Sequence, residues 1–155
     1  MPKIDLAALP QTNRTGYPAP FNADVAQRWY RRLAPASGLT TFGASHVVLK
    51  PGAWSSQRHW HEGEDELLVM LSGEAVLVED TGRTLLRPGD VCAWPKGVRD
   101  GHHLINESAE DCCFLCISAG ANAGGYYPDI DMMWDTDDKY RHKDGTPYPE
   151  TQRPA

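Results

Sequence analysis

The sequence has no long apolar run and no excess of positive charge. No stretch of its 155 residues is apolar over the length of a membrane-spanning helix, and no apolar signal segment follows Met1, Pro2 and Lys3. Its 15 Lys and Arg against 21 Asp and Glu give a formal net charge of −6. This balance argues against nucleic acid or an anionic membrane as the main partner. We therefore expect a soluble, cytoplasmic protein.

The sequence also lacks the cysteine pattern of a disulfide framework. The four cysteines are Cys92, Cys112, Cys113 and Cys116. Three of them fall in one predicted strand, where neighbouring side chains alternate between faces. Cys113 and Cys116 have the CxxC spacing, but the redox motif of that spacing opens a helix, and this segment is an apolar strand. We interpret the cysteines as free, small, buried hydrophobic residues.

From residue 40 onward the chain has no room for a crossover helix between its strands, which excludes a parallel α/β sheet. Short apolar runs alternate with turns such as Pro51-Gly52 and Pro88-Gly89. The predicted strands are residues 44–50, 56–61, 66–72, 75–79, 83–86, 90–94, 102–106 and 112–118. About eight antiparallel strands predict an all-β, single-domain sandwich or barrel over residues 41–120.

Residues 1–40 are predicted to form a proline-rich arm and a short helix. Asn22 would cap the helix, which would span residues 23–33, and Pro35 would end it. Three arginines, Arg28, Arg31 and Arg32, would then form a basic helix face. We interpret that face as solvated and ion-paired, in preference to an anion site.

Residues 121–155 follow a glycine-rich connector and are rich in Asp, Tyr and Pro. Their apolar content is too low for independent folding, so we expect an irregular tail packed on the barrel or on a second subunit. A polar arm and a polar tail that both need a surface lead us to expect a homodimer.

Three histidines and a carboxylate predict a metal site. His59 and His61 are two residues apart on a predicted strand, so their imidazoles point to the same face. Glu66 begins the next strand, and His102 follows later in the same sheet. This donor set suits one divalent transition metal, such as Fe, Mn, Ni, Zn, Co or Cu. His103 is the alternative to His102, because the turn before it is irregular.

These residues resemble the two sequence signatures of the cupin superfamily. Gly52, His59, His61, Glu66 and Gly73 follow the first signature, with one residue more than the pattern between Gly52 and His59. Gly89, Pro95, Gly97, His102 and Asn106 follow the second, with two residues more than the pattern before His102. The tail segments 127–131 (YPDID) and 143–147 (KDGTP) are similar to those of small bacterial single-domain cupins.

The resemblance implies a double-stranded β-helix, or jelly-roll barrel. It implies that His59, His61, Glu66 and His102 bind one metal ion, and that the chain is a metal-dependent oxygenase, isomerase or lyase. The substrate would be a small oxygen-chelating organic acid or sugar derivative. Glu66 would be a ligand or a catalytic base.

Two other functions stay open. The first is a module that binds or senses a metal or small molecule without turnover. The second is sugar-phosphate binding without metal, which needs a basic pocket. Near the motif turns only Arg58 and Arg99 offer positive charge for it.

Overall fold

The structure is a computed structural model that describes residues 3–149. Strands dominate these residues, and helix is limited to α1 (Leu33–Ala36) and a 3-10 turn at Leu6–Ala8. No helix in the described range is long and apolar enough to cross a membrane. The strands are β1 (Arg28–Arg32), β2 (Gly43–Leu49), β3 (Trp60–His61), β4 (Glu64–Ser72), β5 (Ala75–Glu79), β6 (Gly82–Leu86), β7 (Val91–Trp94), β8 (His103–Ile105), β9 (Cys112–Gly120), β10 (Gly125–Tyr127), β11 (Met132–Trp134) and β12 (Tyr140–Arg141).

The strands form three antiparallel sheets. The largest has the order β1-β2-β9-β4-β7, and the others are β6-β5-β8 and β12-β11-β10-β3. Isolated bridges pair Trp54 with Ile105 and His59 with His102, so the segment before β3 runs alongside β8. The two smaller sheets are thereby linked into one wall of a barrel, and the five-stranded sheet forms the other.

The core lies between these two walls and follows from the alternation of side chains along each strand. On β4, Leu68 and Met70 are buried, whereas Leu67 and Leu71 on the opposite face are exposed. Met70 belongs to the same buried cluster as Phe114 of the large sheet and as residues of β5 and β8. The prediction of a single-domain, all-β jelly-roll barrel is confirmed.

The predicted helix over residues 23–33 is wrong. Residues 28–32 form β1, which pairs antiparallel with β2 over its full length, from Arg28 opposite Leu49 to Arg32 opposite Ser45. Arginine and alanine favour a helix locally, but the unpaired edge of β2 offers a ladder of hydrogen bonds, and this tertiary pairing outweighs local propensity. Arg28 and Arg32 therefore share one face with Tyr30, and Arg31 lies on the other.

The expectation of an irregular tail is also wrong for the described residues. Residues 125–141 contain β10, β11 and β12, and β10 pairs with β3 of the barrel. Tyr127, Met132 and Trp134 form a second buried cluster with Tyr17 and Val25 of the arm. Arm and tail thus pack on their own barrel. The KDGTP segment, residues 143–147, follows β12, and residues 1–2 and 150–155 lie outside the described range.

Arg58 fastens the tail to the barrel. Its Nε and Nη2 donate to the two carboxylate oxygens of Asp129, both at 2.7 Å, and its Nη1 pairs with Asp80. The Arg58 side chain is only 13% exposed, so this bidentate contact is partly shielded from water. The hydrogen bonds from Arg58 lower the pKa of Asp129 below its usual value.

We predict that Asp129→Asn lowers the free energy of unfolding by about 1 kcal/mol at pH 7, because the substitution removes one charge from a bidentate pair whose carboxylate is half exposed. The folded-state pKa of Asp129 is lowered, so its stabilising contribution is present above the unfolded-state pKa and is lost as pH falls through the folded-state pKa. The difference between wild type and variant should therefore shrink under acid conditions. Urea unfolding at a series of pH values measures it.

Glu110→Gln is the matched control, because the Glu110 carboxylate is exposed and has no side-chain partner among the described residues. If the free energy of unfolding of Asp129→Asn stays below that of wild type by the same amount from neutral to acid pH, the contact between Arg58 and Asp129 is not stabilised by charge.

Candidate metal centre

The four residues predicted as metal ligands come from three neighbouring segments of the barrel. His59 and His102 face each other across an antiparallel bridge, and their backbones exchange two hydrogen bonds of 3.2 Å and 2.9 Å. His61 lies in β3, and Glu66 is the third residue of β4. The structure brings one donor atom from each of these four residues to within 4.8 Å of all the others.

The distances between donor atoms fit a cation at their centre. The Nε2 atoms of His59 and His61 are 3.1 Å apart. The Oε2 atom of Glu66 lies 3.2 Å from Nε2 of His61 and 3.0 Å from Nε2 of His102. Adjacent donors around an octahedral ion with bonds of about 2.1 Å are separated by about 3.0 Å. The four residues therefore could hold one metal ion.

Two of the imidazole rings are oriented by contacts outside the cluster. Nδ1 of His59 lies 2.9 Å from the carbonyl oxygen of Gln57, which favours a proton on Nδ1 and a free lone pair on Nε2. The ring of His102 stacks on Trp94 with centroids 4.0 Å apart and an interplanar angle of 8°. Nε2 of both rings is thereby directed at the cluster.

Burial and neighbouring charge set the protonation of the cluster. Burial, with the nearby His102 and His61, lowers the pKa of His59 to about 3, so His59 is neutral. Burial also opposes charge on His61, but the carboxylates of Glu64 and Glu66 outweigh it and raise its pKa to about 9. Burial likewise opposes charge on Glu66, yet its hydrogen bonds with His102 and His61 lower its pKa well below the usual value. The cluster is thus a largely buried carboxylate, with 14% of its side chain exposed, surrounded by imidazoles.

Glu64 adds a second carboxylate beside His61. Its Oε2 lies 3.4 Å from Nδ1 of His61, but the alignment is too poor for a hydrogen bond. The contact is therefore mainly electrostatic, and it favours a positive charge at this edge of the cluster.

Cys116 holds the second oxygen of Glu66. Its thiol donates to Oε1 at 2.9 Å, which leaves Oε2 for the cluster. Burial, together with the charge of Glu66, raises the pKa of Cys116 well above its usual value and keeps the donor proton in place. All four cysteines are free, as expected. Cys116 nevertheless has a polar contact that its interpretation as a small hydrophobic residue missed.

His103 lies outside the cluster. Its Nδ1 is 3.0 Å from the carbonyl oxygen of Ser56, and its ring packs edge-on against Trp54 with centroids 4.6 Å apart. Adjacent residues on an extended chain point to opposite sides, so only one of His102 and His103 can face Glu66. The structure places His102 there.

A cavity of about 320 Å³ adjoins the cluster. Glu66, His102 and Trp94 line it on one side. Arg28, Tyr30 and Arg32, the three side chains on one face of β1, also line it, and sequence analysis missed them. In the strand that residues 28–32 (RWYRR) form, every second residue lies on one face, but no alternation of polar and apolar residues marks this strand in the sequence.

The two arginines considered for a basic pocket lie elsewhere. Arg58 is paired with Asp80 and Asp129. Arg99 lies over the ring of Trp60, with its guanidinium carbon 5.4 Å from the ring centroid. Neither Arg58 nor Arg99 lines the cavity beside Glu66.

Comparison with known proteins places this fold in a family. A cupin-domain family matches residues 45–118. No curated protein sequence matches the chain. The crystal structure of a sugar phosphate isomerase from a cupin superfamily, from Silicibacter pomeroyi DSS-3, is 37% identical with a TM-score of 0.88. The match covers 96% of this chain and 97% of that one.

Two further solved structures are more distant. A putative sugar phosphate isomerase from Acidithiobacillus ferrooxidans ATCC 23270 is 26% identical with a TM-score of 0.64, over 74% of this chain and 70% of that one. A predicted oxalate decarboxylase from Thermotoga maritima is 24% identical with a TM-score of 0.53, over 60% and 80%, and shares the fold alone. With its jelly-roll barrel, its two signature segments and a relative matched over nearly its whole length, this chain belongs to the cupin superfamily.

Proposed function

We propose that this chain is a metal-dependent isomerase of a small phosphorylated sugar. In this proposal His59, His61, Glu66 and His102 hold one divalent transition metal beside the cavity, whose lining includes Glu66 and His102. The convergence of three imidazole nitrogens and one carboxylate oxygen within 4.8 Å of one another, with three contacts of 3.0–3.2 Å among them, carries the proposal. The similarity to the Silicibacter pomeroyi sugar phosphate isomerase supports the reaction class.

The donor set limits the metal without selecting one. Imidazole with carboxylate suits Fe, Mn, Ni, Co, Cu or Zn in the divalent state. Four protein ligands leave positions open on an octahedral ion, and a bound ion there would polarise a carbonyl or hydroxyl oxygen of the substrate.

Glu66 is the residue best placed to move a proton. It is the only carboxylate among the described residues that line the cavity. Interconversion of an aldose and a ketose removes a proton from one carbon and returns it to the neighbouring carbon, while a hydroxyl proton moves to the former carbonyl oxygen. The reaction is redox-neutral and needs no co-reactant. In this proposal Oε2 of Glu66 holds the metal, and Oε1, which accepts one hydrogen bond from the Cys116 thiol and keeps a second lone pair, would take and return the carbon-bound proton.

A second candidate is a module that binds the same ligand without turnover. One observation favours it: the hydrogen bonds from His102 and His61 lower the pKa of Glu66 well below its usual value, which makes Glu66 a weak base. Turnover measurements distinguish the two functions.

We predict that purified protein carries about one transition metal ion per chain, as the proposed four-ligand site requires. The double variant His59→Ala with His61→Ala should lose it, because half of the donor set is removed. His102→Ala should lose far more metal than His103→Ala, since only His102 reaches Glu66. Elemental analysis of dialysed protein measures the content. Full occupancy in the double variant, or greater loss in His103→Ala than in His102→Ala, would contradict the ligand assignment.

We predict that Glu66→Gln slows turnover of the responsive sugar phosphate by about 10²-fold or more, while ligand affinity changes much less, because the amide cannot accept the proton. A panel of aldose and ketose phosphates, incubated in D2O with metal-loaded protein, should show deuterium at the carbon beside the carbonyl by NMR. Ligand-induced shifts in melting temperature report binding separately. Binding without deuterium exchange across the panel would reject the isomerase and leave the binding module.

We also propose a homodimer, on a basis different from the sequence expectation. The described arm and tail pack on their own barrel, so they do not require a partner. The outer face of the large sheet, however, carries exposed Leu67, Leu71 and Val91, with half-buried Val69 and Ile117 among them. Strand pairing places Leu67 opposite Ile117 and Val69 opposite Val91, so these residues form one continuous apolar patch. Such a patch suits an identical patch on a second copy.

We predict that Leu71→Glu shifts the protein from dimer to monomer, because a charge at the patch is costly to bury. Leu85→Glu is the matched control, since Leu85 is similarly exposed on β6 of another sheet and should leave the dimer intact. Light scattering after size-exclusion chromatography gives the mass of each. A wild-type protein that is strictly monomeric at high concentration would reject the dimer.

A further inference from the structure

We propose that Arg28, Tyr30 and Arg32, together called the β1 anion site, bind the phosphate group of the substrate while its sugar oxygens face the candidate metal centre. This inference rests on the proposed function for the identity of the substrate. Its own basis is a basic row of side chains on a wall of the cavity that also contains Glu66 and His102.

Strand register directs this row into the barrel. Arg28, Tyr30 and Arg32 lie opposite Leu49, Val47 and Ser45 of β2. Leu49 and Val47 are 0% and 7% exposed members of the core, so their face of the sheet is the inner one. Residues directly opposite each other in an antiparallel pair share a face. The β1 anion site is therefore part of the inner wall.

The same register connects the site to the candidate metal centre. Arg32 is opposite Ser45, Ser45 is opposite Cys116, and the Cys116 thiol donates to Glu66. Between β1 and β4 lie β2 and β9, so their backbones are separated by roughly 14 Å along the sheet. A ligand that uses both ends of the cavity thus needs an anionic group at one end and chelating oxygens at the other. A sugar phosphate has this arrangement.

Arg28 is held in place yet retains unused donors. Its Nη1 donates to the carbonyl oxygen of Ser55 at 2.6 Å, and its guanidinium carbon lies 5.4 Å from the centre of the Tyr30 ring. Its Nε is buried and has no hydrogen-bond partner among the described residues. A buried donor without an acceptor is unfavourable. An oxyanion in the cavity would supply that acceptor.

Arg31, on the same strand, has a structural role instead. Its Nε donates to the carbonyl oxygen of Leu9 in the arm, and its side chain lies on the opposite face of β1. Arg28 and Arg32 have no carboxylate partner among residues 3–149. The two arginines of the cavity are therefore available for an anionic ligand, whereas Arg31 fastens the arm.

The charge of the cavity favours a dianion. Two guanidinium groups oppose the single carboxylate of Glu66 in the lining, although the whole chain has a net charge of −6. A divalent ion at the candidate centre would bring this local charge to about plus three. Guanidinium groups bind phosphate oxygens through charge-assisted hydrogen bonds, which are among the stronger polar contacts. A phosphate monoester, with a charge of about −1.5 to −2 at pH 7, is complementary to this positive charge.

Binding of inorganic phosphate tests the site without requiring turnover. Isothermal titration of wild-type protein should detect phosphate, and Arg28→Gln and Arg32→Gln should each weaken its affinity by about tenfold or more. Arg31→Gln is the matched control, because it removes the same charge from the same strand on the opposite face, and its affinity should stay at the wild-type value. Thermal melting of each variant verifies folding. If Arg28→Gln does not fold, the phosphate affinity of Arg32→Gln alone tests the site, because the Arg32 side chain is exposed and its replacement should leave the fold intact.

Metal dependence separates this inference from the proposed function. Phosphate should still bind to the His59→Ala with His61→Ala variant, since its contacts are on β1. Loss of phosphate binding in that variant would show that the anion sits on the metal, and would overturn the β1 anion site. Equal affinity for acetate and phosphate, or an equal loss in Arg31→Gln and Arg32→Gln, would overturn it as well.

Kinetics provide the final distinction. If the isomerase is active, Arg32→Gln should raise KM for the phosphorylated substrate by about tenfold or more, with kcat nearly unchanged. A large fall in kcat with unchanged KM would contradict a binding role. If no sugar phosphate is turned over while phosphate binding still depends on Arg28 and Arg32, the β1 anion site stands and the isomerase proposal falls.

Discussion

The antiparallel bridge between His59 and His102 fixes the geometry on which the candidate metal centre depends. Each residue donates its backbone N–H to the carbonyl oxygen of the other, so the two side chains project from facing positions. A slip of one residue would turn His102 away and bring His103 toward Glu66. The bridge also joins the two smaller sheets into one wall. The same pair of hydrogen bonds thus closes the barrel and selects the histidine.

The charges of the four-residue cluster favour a bound cation. Two imidazole nitrogens at 3.1 Å can share at most one proton, and the pKa of His59 is lowered to about 3, so His59 contributes a lone pair. Glu66 is largely buried, with 14% of its side chain exposed, and keeps its negative charge through His102 and His61. A buried carboxylate beside neutral imidazoles is expensive unless a positive charge lies among them. A proton on His61 supplies that charge in the free protein, and a metal ion would supply it more completely.

The barrel was predictable because its strands are short apolar runs separated by clear turn signals such as Pro51-Gly52 and Pro88-Gly89. The strand over residues 75–79 was predicted with its exact limits, and the spacing of His59, His61 and Glu66 was visible in the linear sequence. Strands β10, β11 and β12 contain only two or three residues each, too few to show a period. They form because Tyr127, Met132 and Trp134 find a buried surface against the arm, which no local pattern reveals.

Gly125 illustrates this dependence on tertiary contact. A Cβ atom at this position would overlap the indole of Trp134 and the carbonyl of Trp60, so the tail can pair with β3 only through a residue without a side chain. In the sequence the same glycine belongs to a run that indicates a flexible connector. The structure instead uses it for close approach of two backbones beside the candidate metal centre.

The wrong prediction of a helix at residues 28–32 had the largest consequence, because it concealed two positive charges that line the cavity. On a helix, Arg28, Arg31 and Arg32 form one basic face that water can solvate. On β1 the strand period separates them, and Arg28 and Arg32 enter the cavity while Arg31 contacts the arm. Three arginines and two aromatic residues in this order fit either structure locally, and only the open edge of β2 decides between them. A three-histidine, one-carboxylate centre suits many reactions, so the choice of substrate falls to the wall that faces it. In this chain that wall is β1, and its charge favours an anionic ligand.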